Sequence, residues 1–286
     1  MRIGINPSGV DLTAQNNLMR AFEMLTLSNQ RLSTMQRINS GSDDPAGLIA
    51  VDQIEAELAS LEAASRNASR AVGTIHTADS GLAAVSDLLN QIRGNVVAVA
   101  NSGAISDEEV AANQLEVNAA VDAINLISAN TSFGGRNLLD GSADSLTFVF
   151  SSDVADTSTL SLPNVHATAL GGGAGSLGDL ASGGSASMES GQMAKAMEIL
   201  DNASAQVRGA RTTAGAFEKY TIGSSRKLID ASEVNLSQAV STIRDTNVAE
   251  ETSNYIRSQI LFNSALATLE ANNESRGLIG SLLRAV

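Results

Sequence analysis

An interval of seven governs both ends of this chain. Apolar side chains fall at Val248, Tyr255, Phe262 and Leu269 in the last forty residues, and at Leu18, Leu25 and Leu32 in the first forty. An α-helix turns once every 3.6 residues, so each set forms a stripe along one helical face. Neither end has a long apolar neighbour close in sequence to cover its stripe. Each must pack against the other end or against copies of itself.

Between the ends the same period continues. Leu12, Leu18, Phe22, Leu25 and Leu32 are helically spaced, and the pattern stops near Asn39-Ser40-Gly41-Ser42-Asp43-Asp44-Pro45. Gly41 can take positive φ. Pro45 suits the first turn of a new helix, with Asp43 or Asp44 as its cap. This stretch is a joint between two helices. From Pro45 to about Ala100, Leu61, Ala68, Ile75, Leu82, Leu89 and Val96 lie seven apart. A helix of some fifty residues is roughly 80 Å long and needs partners along its length.

Asn101-Ser102-Gly103 breaks that helix, and Ser106 with Glu109 forms a capping box that opens the next. This third helix, through Val110, Val117 and Ile124, is expected to fold back antiparallel and end near Asn130. Leu146–Phe150 and Thr159–Leu162 read as strands of a small hairpin. The Gly- and Ser-rich stretch that follows, to residue 187, reads as a loosely folded surface loop. From Met188 the period returns, through Met193, Leu200, Val207 and Ala214. It loosens around Phe217-Glu218-Lys219-Tyr220, then resumes with Leu228, Leu236 and Ile243. Arg244-Asp245-Thr246-Asn247 is a second joint, and a terminal helix runs from Val248 to about Leu283. The expected fold is mainly α: a long antiparallel helical rod of coiled-coil type, a small β-hairpin region and paired terminal helices.

Several kinds of chemistry are missing. A formal net charge of −13 argues against nucleic acid as a partner. With no Cys there are no disulfides or thiolate metal sites. His76 lies inside the longest helix and His166 in the low-complexity centre, with neither placed in a metal or catalytic motif. Asp43-Asp44 and Asp107-Glu108-Glu109 stand at helix starts, where negative charge suits the dipole. The run Gly171–Gly175 lacks the Lys-Ser/Thr of a phosphate loop. No enzyme, cofactor or metal site is expected. No stretch reaches the ~20 apolar residues of a membrane span. Met1–Val10, interrupted by Asn6, Pro7 and Ser8, does not read as a cleavable signal peptide.

Particular segments carry a family resemblance. Arg31-Leu32-Ser33-Thr34-Met35-Gln36-Arg37-Ile38-Asn39-Ser40, then Ser42-Asp43-Asp44-Pro45-Ala46-Gly47, resembles the N-terminal region of bacterial flagellins. Ala64–Ala68, Gly81-Leu82, Asn90–Arg93 and Thr131–Leu139 continue it. Near the other end, Ile243–Glu251, Gln259-Ile260-Leu261 and Ser281-Leu282-Leu283-Arg284 match. The resemblance covers roughly 1–140 and 190–286.

The resemblance implies a filament subunit secreted to the cell exterior through the flagellar type III apparatus, without a cleaved signal. Residues 1–42 with 246–286 would form the inner tube of the filament, with Leu18, Leu25, Leu32, Val248, Tyr255, Phe262 and Leu269 as polymerisation seams. Asn39, Asp43, Asp44, Pro45 and Asp245 would be its joints. Residues 43–140 with 188–245 would be the surrounding rod, and 141–187 a hairpin and surface loop in place of a full outer domain. Implied partners are many copies of the chain itself, an export chaperone, a cap protein and a hook-junction protein. Gln91, Arg93, Asn95 and Glu116 fall where flagellins meet the innate immune receptor TLR5. The usual Arg and Leu are replaced by Gln91 and Asn95, which argues against strong recognition. A hook–filament junction protein shares the terminal pattern, and a coiled-coil scaffold unrelated to motility is an alternative of another class.

Overall fold

The computed structural model describes residues 9–101, 105–151, 153 and 155–284. The irregular start expected over residues 1–10 and the break at 101–103 therefore fall largely outside the described residues. Among those described, six α-helices carry most of the chain: α1 (Gly9–Thr34), α2 (Pro45–Ala100), α3 (Asp107–Asn130), α4 (Met193–Ala216), α5 (Gly223–Arg244) and α6 (Val248–Arg284). Three antiparallel two-stranded sheets join them: β1 (Ser132–Phe133) with β2 (Arg136–Asn137), β3 (Leu146–Val149) with β4 (Thr157–Leu160), and β5 (Gly171–Gly172) with β6 (Gly175–Ser176). The expected limits of the long helix are met. So is the capping box: the Glu109 amide donates to Ser106 Oγ at 3.3 Å and the Ser106 amide to Glu109 Oε2 at 2.8 Å.

The chain forms two compact units, residues 1–58 with 234–286 and residues 59–233. In the second, α2 is buried along two rows at once. Ala68, Ile75, Leu82, Leu89 and Val96 form one, and Ala71, Ala78, Val85, Ile92 and Val99 the other. Helix α3 runs antiparallel to α2, as expected: Asn95 Nδ2 donates to Glu116 Oε2 at 3.0 Å, while Leu88 and Ala123 share a groove further along. Helix α4 is also antiparallel to α2. Asp201 pairs with Arg93, and the Arg211 Nε donates to Asp79 Oδ1 at 2.7 Å. That carboxylate holds the guanidinium even more firmly protonated than usual.

The loosened period at Phe217–Tyr220 has a physical counterpart, a π-helical turn over Phe217–Ile222. It sets Glu218 Oε1 3.0 Å from His76 Nε2. It also sets the Phe217 ring 6.0 and 6.3 Å from those of Phe148 and Phe150, in the expected hairpin. The hairpin register pairs Leu146 with Leu160, so the second strand lies two residues earlier than the sequence suggested.

The Gly- and Ser-rich stretch is not the exposed, loosely folded loop expected from its composition. Leu170, Leu177, Leu180, Ala186 and Met188 are all buried. Side-chain amides on α3 and α4 satisfy the backbone between them. Asn125 Oδ1 accepts from the Ala167 amide at 2.9 Å, and Asn118 Oδ1 from the Ser182 amide at 2.9 Å. Gln206 brackets Gly171, accepting from its amide at 3.1 Å and donating to its carbonyl at 2.7 Å. Gln114, itself buried, donates to the Leu180 carbonyl at 2.9 Å and accepts from the Met188 amide at 2.7 Å. The glycines permit close backbone approach rather than looseness. Gly171 has φ 133, and a Cβ there would lie 2.2 Å from the Gly175 carbonyl oxygen.

Candidate assembly surface

The first unit is built on α1 and α6, which pack antiparallel. Arg31 lies 3.7 Å from Glu251, the Phe22 and Phe262 rings are 6.1 Å apart, and Ala14 and Thr268 line one groove. The seven seam residues differ in burial. Leu18, Leu25, Leu32, Tyr255, Phe262 and Leu269 are half-buried, while Val248 at the start of α6 is exposed.

A second row, of small and polar residues, is buried more deeply. On α1 it consists of Ala14, Ala21 and Ser28, and on α6 of Glu251 and Ser258, with half-buried Ala265 and Asn272 continuing it. These are also seven apart and offset from the Leu row by three or four, as a two-row helical seam requires. Small and polar residues carried no hydrophobic signal, although their spacing was visible. Asn272 Nδ2 is buried without a hydrogen-bond partner.

Residues 35–44 and 245–247 are non-helical and separate α1 from α2 and α5 from α6. Helix α1 ends at Thr34, and the residue with positive φ is Met35 (φ 58), not Gly41. The chain turns there because it must meet the segment before α6. The Thr246 amide donates to the Met35 carbonyl at 3.0 Å, the Arg37 amide to the Arg244 carbonyl at 2.6 Å, and Gln36 bridges Asp245. Asp43 Oδ2 accepts from the Asn39 and Ser40 amides at 3.0 and 2.9 Å, and these two bonds hold its carboxyl below the usual range. Asp44 Oδ1 accepts from the Gly47 amide at 2.9 Å, capping α2, which begins at Pro45. Asn39 Nδ2 donates to the Gln36 carbonyl, and Asp245 Oδ2 accepts from Ser241 Oγ at 2.6 Å. Across the same joint Arg244 pairs with Glu55 at 2.6 Å.

The α1–α6 pair leaves much apolar surface open. Met19, Phe22, Met24 and Leu27 on α1, and Ile256, Ile260, Leu261 and Leu266 on α6, are exposed. Exposed apolar side chains grouped in this way mark an interaction surface. The four candidate receptor-facing residues lie in the other unit. Gln91, Asn95 and Glu116 line the groove between α2 and α3, whereas Arg93 reaches toward Asp201 on α4. Among the described residues no group of His, Asp and Glu is placed to hold a metal, and no helix is long and apolar enough to cross a membrane.

Comparison with known proteins bears on this surface. The model of the bacterial flagellin N-terminal helical region matches residues 5–144, and that of the bacterial flagellin C-terminal helical region matches 197–282. The flagellar filament 30.7 kDa core protein of Treponema maltophilum is 32% identical over 277 residues, covering 91% of this chain and 95% of that protein. B-type flagellin of Pseudomonas aeruginosa is 37% identical over 171 residues, 60% of this chain but only 35% of that longer protein. A solved structure described as a flagellar hook-associated protein of Vibrio parahaemolyticus shares the fold. Its TM-score is 0.61 at 17% identity, over 71% of this chain and all of that one.

Proposed function

Because this chain belongs to the bacterial flagellin family, we propose that it is the structural subunit of a flagellar filament and that the α1–α6 pair is its polymerising part. The observation that carries this reading is the open apolar surface of that pair. Two helices side by side cover only a limited face of each other, and here the row buried most deeply is Ala14, Ala21, Ser28, Glu251 and Ser258. The larger apolar side chains beside it need further helices, which copies of the chain supply.

In this reading residues 1–42 with 246–286 form the inner tube and 43–140 with 188–245 a rod of coiled-coil type around it. Residues 141–187 are the outermost part, a folded cover rather than a loop. The contacts are heterologous and non-closing, so the array extends without limit. Subunits leave the cell through the flagellar export apparatus, with a chaperone shielding the terminal helices beforehand, and add beneath a cap protein on a base of hook-junction protein. The terminal helices gain their full order on addition. The changes at Gln91 and Asn95 weaken recognition by TLR5.

The test is removal of residues 246–286. The truncated chain is expected to stay soluble and helical but not to polymerise, read by sedimentation and electron microscopy. Normal filaments from the truncated chain would refute the assignment of the polymerising part.

A further inference from the structure

Unit 59–233 has a well-covered core, yet four large hydrophobic side chains stand far out of it. Leu115 (69% exposed) and Leu126 (64%) lie on α3; Tyr220 (65%) and Leu228 (69%) lie on the π turn and the start of α5. They belong to two stripes of similar spacing. On α3, Glu108, Ala112, Leu115, Ala119, Asp122 and Leu126 are all exposed, at steps of four and three, opposite the buried face of Val117, Val121 and Ile124. On the other segment, Tyr220, Ser224, Lys227 and Ala231 are all exposed at the same steps, opposite buried Ile222 and Ile229. Such steps make a helix seam. Both stripes point away from the core of their own unit, so neither covers the other within one molecule.

Their charges are complementary. Helix α3 carries Asp107, Glu108, Glu109, Glu116 and Asp122 and no Lys or Arg. Residues 219–231 carry Lys219, Arg226 and Lys227 against Asp230 alone. None of these three cations has an ion-pair partner among the described residues. In a chain of net charge −13, a local surplus of unpaired cations beside exposed Tyr and Leu is a specific signal.

We infer that the α3 stripe of one subunit docks on the 220–231 stripe of a second copy, as a lateral contact of the assembled filament. This rests on the filament reading above and names the partner surfaces outside the terminal helices. Helices α3 and α5 run the same way within one subunit, both antiparallel to α2, and copies side by side in one filament keep that direction, so the stripes align parallel. Leu115 meets Tyr220, and eleven residues along each helix Leu126 meets Ala231 beside Leu228. Asp122 then faces Lys227. The contact joins two different surfaces, so it repeats from copy to copy without closing. Opposite charge along the stripes fixes which helix meets which, and like stripes repel.

Seeded polymerisation of the full chain tests this, with critical concentration read by sedimentation and helicity by circular dichroism. Leu115→Gln and Asp122→Lys keep good helix formers on an exposed face, so the fold is retained. Leu115→Gln, Asp122→Lys and Lys227→Glu are each expected to raise the critical concentration by about tenfold. Asp122→Lys combined with Lys227→Glu is expected to recover most of its own loss. Wild-type filaments with unchanged critical concentrations in the variants overturn this contact and leave the filament reading standing. A double variant no better than the singles overturns the pairing of these two stripes. Failure of the wild-type chain to form any filament overturns the filament reading and this inference with it.

Discussion

Replacing Gln114 with Leu isolates what holds the Gly-rich segment in place. The two side chains are close in size, so the change leaves little cavity and removes only polar contacts. Gln114 is 1% exposed and spans from the Leu180 carbonyl to the Met188 amide, at 2.9 and 2.7 Å. Both residues are buried, so each backbone group loses its partner where water does not replace it. An orphaned buried group costs about 1–3 kcal/mol, so the pair costs about 2–6 kcal/mol. That is a large part of a domain stability of about 5–15 kcal/mol. Urea denaturation measures the global loss. Hydrogen exchange at the Met188 amide and limited proteolysis within 171–187 measure the local opening, and both are expected to accelerate. A substitution on a loose surface loop shifts stability by only about 0.5 kcal/mol. A loss that small, with wild-type cleavage in 171–187 already as fast as in the variant, would refute the folded cover.

Two further changes test local structure. Gly47→Ala in an ordinary helix gains about 1 kcal/mol, but here the new Cβ would lie 2.5 Å from Asp44 Oδ2 and 2.8 Å from Ile38 Cδ1. Disturbing the Asp44 cap costs about 1 kcal/mol and overpacking against buried Ile38 about 1–3 kcal/mol more, so the thermal midpoint is expected to fall; a rise contradicts these contacts. The Asp140 carboxyl is held down to about 2, by Ser142 first and then by the Asn137 amide. Its folded value is depressed, so its stabilisation is present above pH 3.8 and lost as pH falls toward about 2. A carboxyl titration by NMR with a midpoint near 4 contradicts those bonds.

The helices were legible because their signal is periodic and long. Pro45 and Ser106 mark starts by chemistry that acts within four residues, so their placement needed no tertiary knowledge. The break in period at Phe217 was visible as well, though not that a π turn absorbs it. The Gly-rich segment was misread because its anchors lie elsewhere in the chain: Gln114, Asn118 and Asn125 on α3 and Gln206 on α4. Polar residues on a helix give no sign of what they bind. Met35 was missed for a related reason. The left-handed turn is imposed by Arg244 and Thr246, more than two hundred residues away, while Gly41 offered the same freedom where the chain does not use it. At the candidate surface the large residues of the seam were legible and the small ones were not.

That distinction separates the two units. The same seven-residue period runs through α1 and α2, and in both one row is rich in Ala. In α2 the row Ala71, Ala78, Val85, Ile92 and Val99 grows larger along the helix, and the row beside it is buried as well. Helices α3 and α4 and the segments between them supply the covering layers, so this core is filled by one chain. In α1 the Ala14, Ala21 and Ser28 row meets Glu251 and Ser258, and the Leu row beside it is only half-buried. Small side chains bring little apolar area, and burial stabilises by only about 25 cal/mol per Å². Met24, Leu27 and Leu261 line the grooves at the edges of the pair and stay exposed. A closely packed pair with its large apolar residues on the flanks gains little more from its own chain and much from a neighbour. In the proposed filament the cost of ordering the terminal helices is then offset only when copies add, which couples their folding to assembly.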